Sequence, residues 1–258
     1  MSVEDVRRNY NAVGLKVVEA MFGDDYLSIG GVESTTTLAE AAGITGEHHV
    51  LDVGCGIGGP ALHLASTIGC RVQGLDLVDI SVAETNQRAV DRGLDHLVKA
   101  VEGDATDMPF GDAEFDVVWG QDAWCHVVDK SALVSECFRV LTAGGIVAFT
   151  DWVVTGEMSG SEREKVLSAA ASTEMATSAE YRDLLGSAGF VNLEELDVSE
   201  VFADQYRSIY AGLRHRESEL VDTYSRKVFD IIAGLNGTIN DAFSGGLIGG
   251  RRFIAHKP

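Results

Sequence analysis

The chain has 258 residues, 45% hydrophobic and 23% charged, which excludes collagen, coiled coil and disorder as overall classes and fits one globular unit. Forty acidic against twenty basic side chains give a net charge of −20; such a surface repels phosphate backbones and anionic lipid, so nucleic acid and membranes are not expected partners. No apolar run reaches the ~20 residues of a bilayer span and MSVEDVRRNYNAV has no signal-peptide core, so the expected location is cytoplasmic.

Residues 3–22 place apolar side chains at helical spacing (Val3, Val6, Tyr10, Val13, Val17, Ala20, Met21), which predicts a helix. FGDDYLSIGG then reads as a loop, and 35–42 as a second helix ending at Gly43. Residues 49–53 form a short apolar run before a glycine cluster, as a buried parallel strand does. Strand and helix then alternate: helix 59–68, strand 70–75, helix 80–92, strand 97–102, strand 115–120, helix 129–140, strand 146–150, with LTAGG as the stop between the last two. The last hundred residues differ, with a helix at 177–187, a strand at 191–198, a polar helical stretch at 202–235 and a closing strand in GGLIGGRRFIAHKP. The alternation predicts an α/β fold with a mostly parallel sheet covered by helices on both faces. It is read as a single domain over 1–258: N-terminal helices at 1–46, a core at 47–155, and sheet completion at 156–258 with a helical cap at about 201–246. Cysteines 55, 70, 125 and 137 show no CxxC spacing, so neither a zinc site nor a redox pair is indicated.

The sharpest motif is VLDVGCGIGGPALHLA, a G-x-G-x-x-G at Gly54, Gly56 and Gly59 between a strand and a helix. Glycines allow a tight turn and close approach of a ligand to the backbone. Alone the pattern is weak, because dinucleotide enzymes carry it and it can mark a turn only. Further features come in order. Asp52 lies two residues before the first glycine. Asp76 ends the second strand, where a carboxylate can accept both hydroxyls of a ribose. Asp104 follows the third strand, where it can also cap the turn DATD. The fourth strand reads FDVVWGQDAWCHV.

This ordered set resembles the class I S-adenosylmethionine (SAM) methyltransferases over roughly residues 26–198. The resemblance implies a Rossmann-like seven-stranded sheet with its last strand antiparallel, and SAM across the carboxyl ends of the strands. It further implies that Gly54 and Gly56 line the methionine part, Asp76 holds the ribose, Leu77 stacks on the adenine, and Asp104 with Ala105 faces it. RNYNAVGLKVVEAMFGDDYLSIGGVEST resembles the entry segment of the small phosphobase N-methyltransferases, and the core also resembles the sarcosine/dimethylglycine enzymes. That likeness implies a Tyr10–His126 dyad, Asp122 beside the substrate amine, Ser28 and Gln121 near the methionine end of SAM, and an N-terminal lid helix. The plainer readings are a helix-face core residue for Tyr10, a capping or core histidine for His126 and a loop carboxylate touching SAM for Asp122.

The chemistry supports such a dyad. An aliphatic ammonium has no lone pair; at pH 7 the neutral form of an amine of pKa ~9.5 costs ~3.4 kcal/mol, and a histidine of ordinary pKa ~6.5 can take the proton. One departure stands out. Between Glu164 and Glu180, where phosphobase enzymes carry phosphate-gripping Tyr and Arg, this chain has only Lys165 as a basic residue, which opposes phosphoethanolamine. Arg207, Arg214, Arg216, Arg251 and Arg252 can serve a carboxylate or simply face solvent. Trp124 and Trp152, after strand ends, can form a cation–π wall for a methylated ammonium, while Trp119 reads as core. Asp151 stands nearly alone, so no metal is expected. The leading reading is a SAM-dependent methyltransferase acting on the amine nitrogen of a small molecule. The alternatives are an O- or C-methyltransferase of a natural product, a non-catalytic SAM-binding regulator and, less favoured, a nicotinamide-dependent oxidoreductase. The acceptor and the oligomeric state stay open.

Overall fold

The computed structural model describes residues 12–172 and 174–258. The chain opens with α1 (Ala12–Phe22) and α2 (Gly31–Ala41). The core follows as β1 (His49–Val53), α3 (Gly59–Thr67), β2 (Arg71–Asp76), α4 (Asp79–Asp91), β3 (Val98–Glu102) and β4 (Phe115–Gln121). A 3-10 turn (Trp124–His126) leads to α5 (Lys130–Val140), β5 (Leu141–Val154), α6 (Gly160–Ala169), α7 (Ser178–Ala188) and β6 (Val191–Asp197). The chain closes with α8 (Ser199–His215), α9 (Glu217–Tyr224), α10 (Arg226–Ser244) and β7 (Ile248–His256).

The seven strands lie in the order β3-β2-β1-β4-β5-β7-β6, with β7 antiparallel to both of its neighbours. The first five strands pair in parallel. This is the expected Rossmann-like sheet, and it sends the carboxyl ends of β1, β2 and β4 to one edge.

Strand periodicity builds two cores. Val117 and Val118 are adjacent and both fully buried, yet Val117 packs under α2 and α3 while Val118 packs under α5 and α7. On the second face Trp124 stacks on Phe149 at 4.1 Å and Phe149 on Phe253 at 4.9 Å. Burying each such ring stabilises the fold by ~1.5–3 kcal/mol. A third core lies beneath the cap, where Phe202, Tyr206 and Phe243 of α8 and α10 meet Ile29 and Trp152. It holds the cap over the loop that follows α1.

Two local expectations differ from the structure. Strand β5 begins at Leu141, so LTAGG belongs to the strand; a register shift between Phe115 and Val117 on β4 accommodates its glycines. Helix α6 was not expected. Its mixed charges hide a stripe, but Ser159 and Glu162 form a capping box that the sequence does carry. Helix α10 runs on to Ser244, past the polar stretch ending at 235 and within the cap expected at about 201–246. Among the described residues no helix is long and apolar enough to cross a membrane.

Candidate active site

A cleft of about 270 Å³ opens at the carboxyl ends of β1, β2 and β4. Its floor is the glycine loop between β1 and α3. Gly54 and Gly56 adopt left-handed backbone, with φ of 81° and 53°, which a side chain disfavours. A Cβ on Gly54 would lie 2.5 Å from the Cβ of Ala123, and one on Gly59 would lie 2.6 Å from the carbonyl oxygen of Asp25. The loop is thus clamped between the exit of β4 and the segment before α2.

Asp76 joins this loop to the end of β2. Its Oδ2 accepts from Gly56 N at 2.8 Å and its Oδ1 from Val78 N at 2.9 Å. Burial raises its carboxyl pKa, and the backbone N–H donors oppose the rise. Leu77, Asp104 and Ala105 line the cleft next to it. Asp104 Oδ1 accepts from both the N–H (2.8 Å) and the hydroxyl (2.7 Å) of Thr106, so the capping role weighed for it is present alongside its place on the wall.

Two buried polar atoms on the lining lack hydrogen-bond partners: Ser28 Oγ and Asp52 Oδ2. Asp52 is 1% exposed, and its carboxyl is pushed up to about 8 by burial and by the charge of Asp76. Orphaned buried polar groups cost ~1–3 kcal/mol each unless something meets them. A cationic, amino-acid-like ligand with a ribose fits: hydroxyls for Asp76, an apolar wall at Leu77 for a base, and polar partners for Ser28 and Asp52. The residues present therefore suit SAM. The sequence signal for Asp52 is a carboxylate inside an apolar strand, two residues before the first glycine of the turn.

The exit of β4 carries the rest. Asp122 is a non-glycine residue at φ 55°. Its N–H donates to Thr150 O at 2.9 Å, its Oδ2 accepts from Ile29 N at 2.8 Å and its Oδ1 from the Thr150 hydroxyl at 2.9 Å. Burial pushes this carboxyl up to about 7, against those hydrogen bonds. Gln121 also lines the cleft, but its amide oxygen accepts from Thr35 at 2.8 Å and Trp119 at 3.3 Å, and its amide nitrogen faces Ser34 at 3.4 Å. Its side chain anchors α2 to the sheet.

His126 sits on the 3-10 turn at the rim of the cleft. Its Nδ1 lies 3.0 Å from the carbonyl oxygen of Ala171. A carbonyl only accepts, so Nδ1 carries a proton; when the ring is neutral, its basic nitrogen is Nε2. Burial lowers the pKa of the ring.

The two tryptophans depart from expectation. Trp124 is 1% exposed, its ring stacked on Phe149 and its indole N–H donating to Val53 O at 3.2 Å. The fit against Gly120 is so close that a Cβ there would meet Trp124 Nε1 at 2.4 Å. Trp124 lines the cleft, but its ring is held in the core and supports the turn from beneath. Trp152 is absent from the cleft lining and packs edge-on against Tyr206 and Phe243 under the cap. Tyr10 lies outside the described residues. Among the described residues no group of three His, Cys, Asp or Glu side chains is placed to hold a metal ion.

Comparison with known proteins bears on this site. Residues 51–149 match a family described as "Methyltransferase domain". The sarcosine/dimethylglycine N-methyltransferase of Halorhodospira halochloris is 30% identical over 220 residues, covering 85% of this chain and 78% of that protein. The glycine/sarcosine/dimethylglycine N-methyltransferase of Actinopolyspora halophila is 34% identical over 190 residues, 72% of this chain; the chain spans only 34% of that relative's length. The structure of phosphoethanolamine N-methyltransferase 2 of Haemonchus contortus, with phosphomonomethylethanolamine and S-adenosylhomocysteine, is similar at a TM-score of 0.92 and 24% identity, covering 100% of this chain and 60% of that one. That last likeness is one of fold. Taken with the glycine loop, the Asp76 carboxylate and the seven-stranded sheet, these relatives establish that the chain belongs to the class I SAM-dependent methyltransferases.

Proposed function

We propose that the protein transfers a methyl group from SAM to the amine nitrogen of a small molecule, of the glycine-betaine or choline type or a related amine. The observation that carries this reading is the hydrogen bond from His126 Nδ1 to Ala171 O, 3.0 Å long. With Nδ1–H held there, the neutral form that burial favours has Nε2 as its basic nitrogen, on a cleft rim shared with Asp122. The names of the N-methyltransferase relatives support an amine acceptor. SAM supplies an electrophilic methyl on a sulfonium; the amine lone pair forms the new C–N bond as the C–S bond breaks, leaving S-adenosylhomocysteine (SAH).

Three tasks fall to the chain's own residues. Asp76 and the glycine loop fix the cofactor's position, which supplies most of the rate by orientation. Asp122 places a carboxyl where an ammonium must dock, and a docked cation favours its charged form. His126 takes the proton that an ammonium must lose before its nitrogen has a lone pair. Tyr10, on the segment preceding α1, bridges His126 and the amine in this reading and closes the N-terminal helix over SAM. The poverty of Arg and Tyr between Glu164 and Glu180 speaks against a phosphorylated acceptor. Arg207, Arg214, Arg216 and Arg251 pair with Asp204, Glu217, Glu219 and Asp197, and none of the four lines the cleft.

The test is SAH release with SAM and a panel of amines, amino acids, phosphoethanolamine and phenols. Turnover of an unphosphorylated amine, with the methyl found on nitrogen, is the expected result. Turnover of phenols alone would overturn the reading.

A further inference from the structure

The turn that carries His126 is three residues long, and a 3-10 turn of that length holds its shape poorly by itself. Side chains from two other segments grip it. Asp151, at 0% exposure in β5, accepts from Cys125 N at 3.1 Å through Oδ1. Its Oδ2 accepts from the hydroxyl of Tyr181 on α7 at 2.5 Å, so the carboxylate is itself pinned. On the other side Ser172, 2% exposed, donates its hydroxyl to Cys125 O at 2.6 Å. The connector between α6 and α7 is thereby drawn onto the turn, and it brings Ala171 O to His126 Nδ1. Lys130 finishes the fastening, donating to Val127 O at 2.9 Å and to Glu174 O at 2.7 Å. The run of small residues at 169–172 gives this connector a backbone close enough to serve as an acceptor, with Ala171 at φ 51°.

We infer that Ser172 and Asp151 are positioning residues for His126: they hold the Cys125 peptide from its C=O and N–H sides, and so keep Ala171 O against Nδ1 and the imidazole in the Nδ1–H tautomer. This rests on the reading of His126 as the proton acceptor. In the other tautomer the ring would carry its proton on Nε2 and could not take one from an ammonium. Neither Ser172 nor Asp151 lines the cleft, so both are read as acting through the turn. Their buried bonds meet no competition from solvent, which is where a single hydroxyl or carboxylate has most influence on geometry.

Three variants test this by kinetics, SAH calorimetry and ¹⁵N NMR of histidine-labelled enzyme. Ser172→Ala is expected to lower kcat roughly 10-fold with KM and SAH affinity little changed, because the loss falls on proton transfer. The His126 ring signals should move from the pure Nδ1–H pattern towards a mixture of tautomers. Ser172→Thr keeps the hydroxyl and should restore both readouts. Asp151→Ala should act like Ser172→Ala; should it fail to fold, the Ser172 pair decides alone. A folded Ser172→Ala enzyme with wild-type kcat and unchanged ring signals would overturn the inference. The reading of His126 fails separately, by a His126→Ala enzyme that keeps its kcat.

Discussion

Asp76 and Gly56 are bonded across the cleft floor, the aspartate Oδ2 accepting the glycine N–H at 2.8 Å. The carboxylate proposed to hold the ribose and the loop proposed to lie beneath the methionine portion are therefore one mechanical unit. In this reading Asp76→Ala would remove two charge-assisted bonds to the ribose, ~1.5–3 kcal/mol each, and release the loop as well. SAH titration calorimetry should show affinity weakened by at least ~10²-fold, since ~1.4 kcal/mol is a factor of ten. An unchanged dissociation constant would remove Asp76 from the site.

Gly54 is the position on that loop with least room. Gly54→Ala would impose a left-handed alanine, costing ~1–2 kcal/mol, and drive its Cβ into Ala123, which stands 2.5 Å away. Melting should fall by ~5 °C or more, and SAH binding should weaken with it. Gly69→Ala is the control: φ is 82° but nothing lies within 4 Å of the added carbon. It should show backbone strain alone, with SAH affinity unaltered. Equal losses of SAH affinity in the two variants would contradict the close-packed loop.

Buried carboxyls give the ligand-free protein a characteristic pH dependence. Asp52 is pushed up to about 8 and Asp122 up to about 7, mainly by burial, against ~3.9 in the unfolded chain. Above pH ~4 the folded state therefore holds protons that the unfolded state has released, and stability falls as pH rises through these values. The lowered pKa of His126 acts in the opposite direction, but that effect is complete once the unfolded histidine has titrated near ~6.5. Between about pH 6.5 and 8 the melting temperature should fall, levelling once Asp52 is ionised in the folded state too, and Asp52→Asn should flatten the slope. A melting temperature that rises over this window, or a slope untouched in Asp52→Asn, would count against the buried charge.

The proposed dyad of Tyr10 and His126 makes a kinetic prediction. His126→Ala should lower kcat by ~10²-fold, the usual contribution of one acid–base group, with SAH binding nearly intact. Tyr10→Phe keeps the ring and loses only the hydroxyl, and should lower kcat on the same scale. The double variant should lose little more than the worse single one, because residues acting as a unit are not additive. Near-normal kcat in both single variants would reduce His126 to a structural residue.

Much of the fold could be read from the sequence because its signals are local. The glycine turn, the aspartates at strand ends and the change from strand to helix period are each written in a short stretch of neighbouring residues. The contacts that the sequence does not show depend on distant partners. The amide oxygen of Gln121 accepts from the hydroxyl of Thr35, 86 positions earlier in the chain, and no local pattern reveals that. Trp124 follows a strand end, as a substrate wall would, yet Gly120 leaves a slot into which its ring folds back. Trp152 belongs to the cap's core because α8 and α10 return over β5. The support behind His126 was hidden for the same reason: Asp151 looked isolated in sequence, and the stretch 169–172 looked featureless, until the connector is seen against the turn.

The central claim is methyl transfer to an amine nitrogen, and one measurement reaches it most directly. The purified protein is incubated with SAM and an equimolar panel of unphosphorylated amines and phenols. SAH is then quantified, and the new methyl is located by ¹³C NMR from labelled SAM. The account predicts SAH formation that depends on an amine, with the label at an N-methyl shift, and its loss in His126→Ala. A label on oxygen or carbon, with His126→Ala fully active, would contradict it.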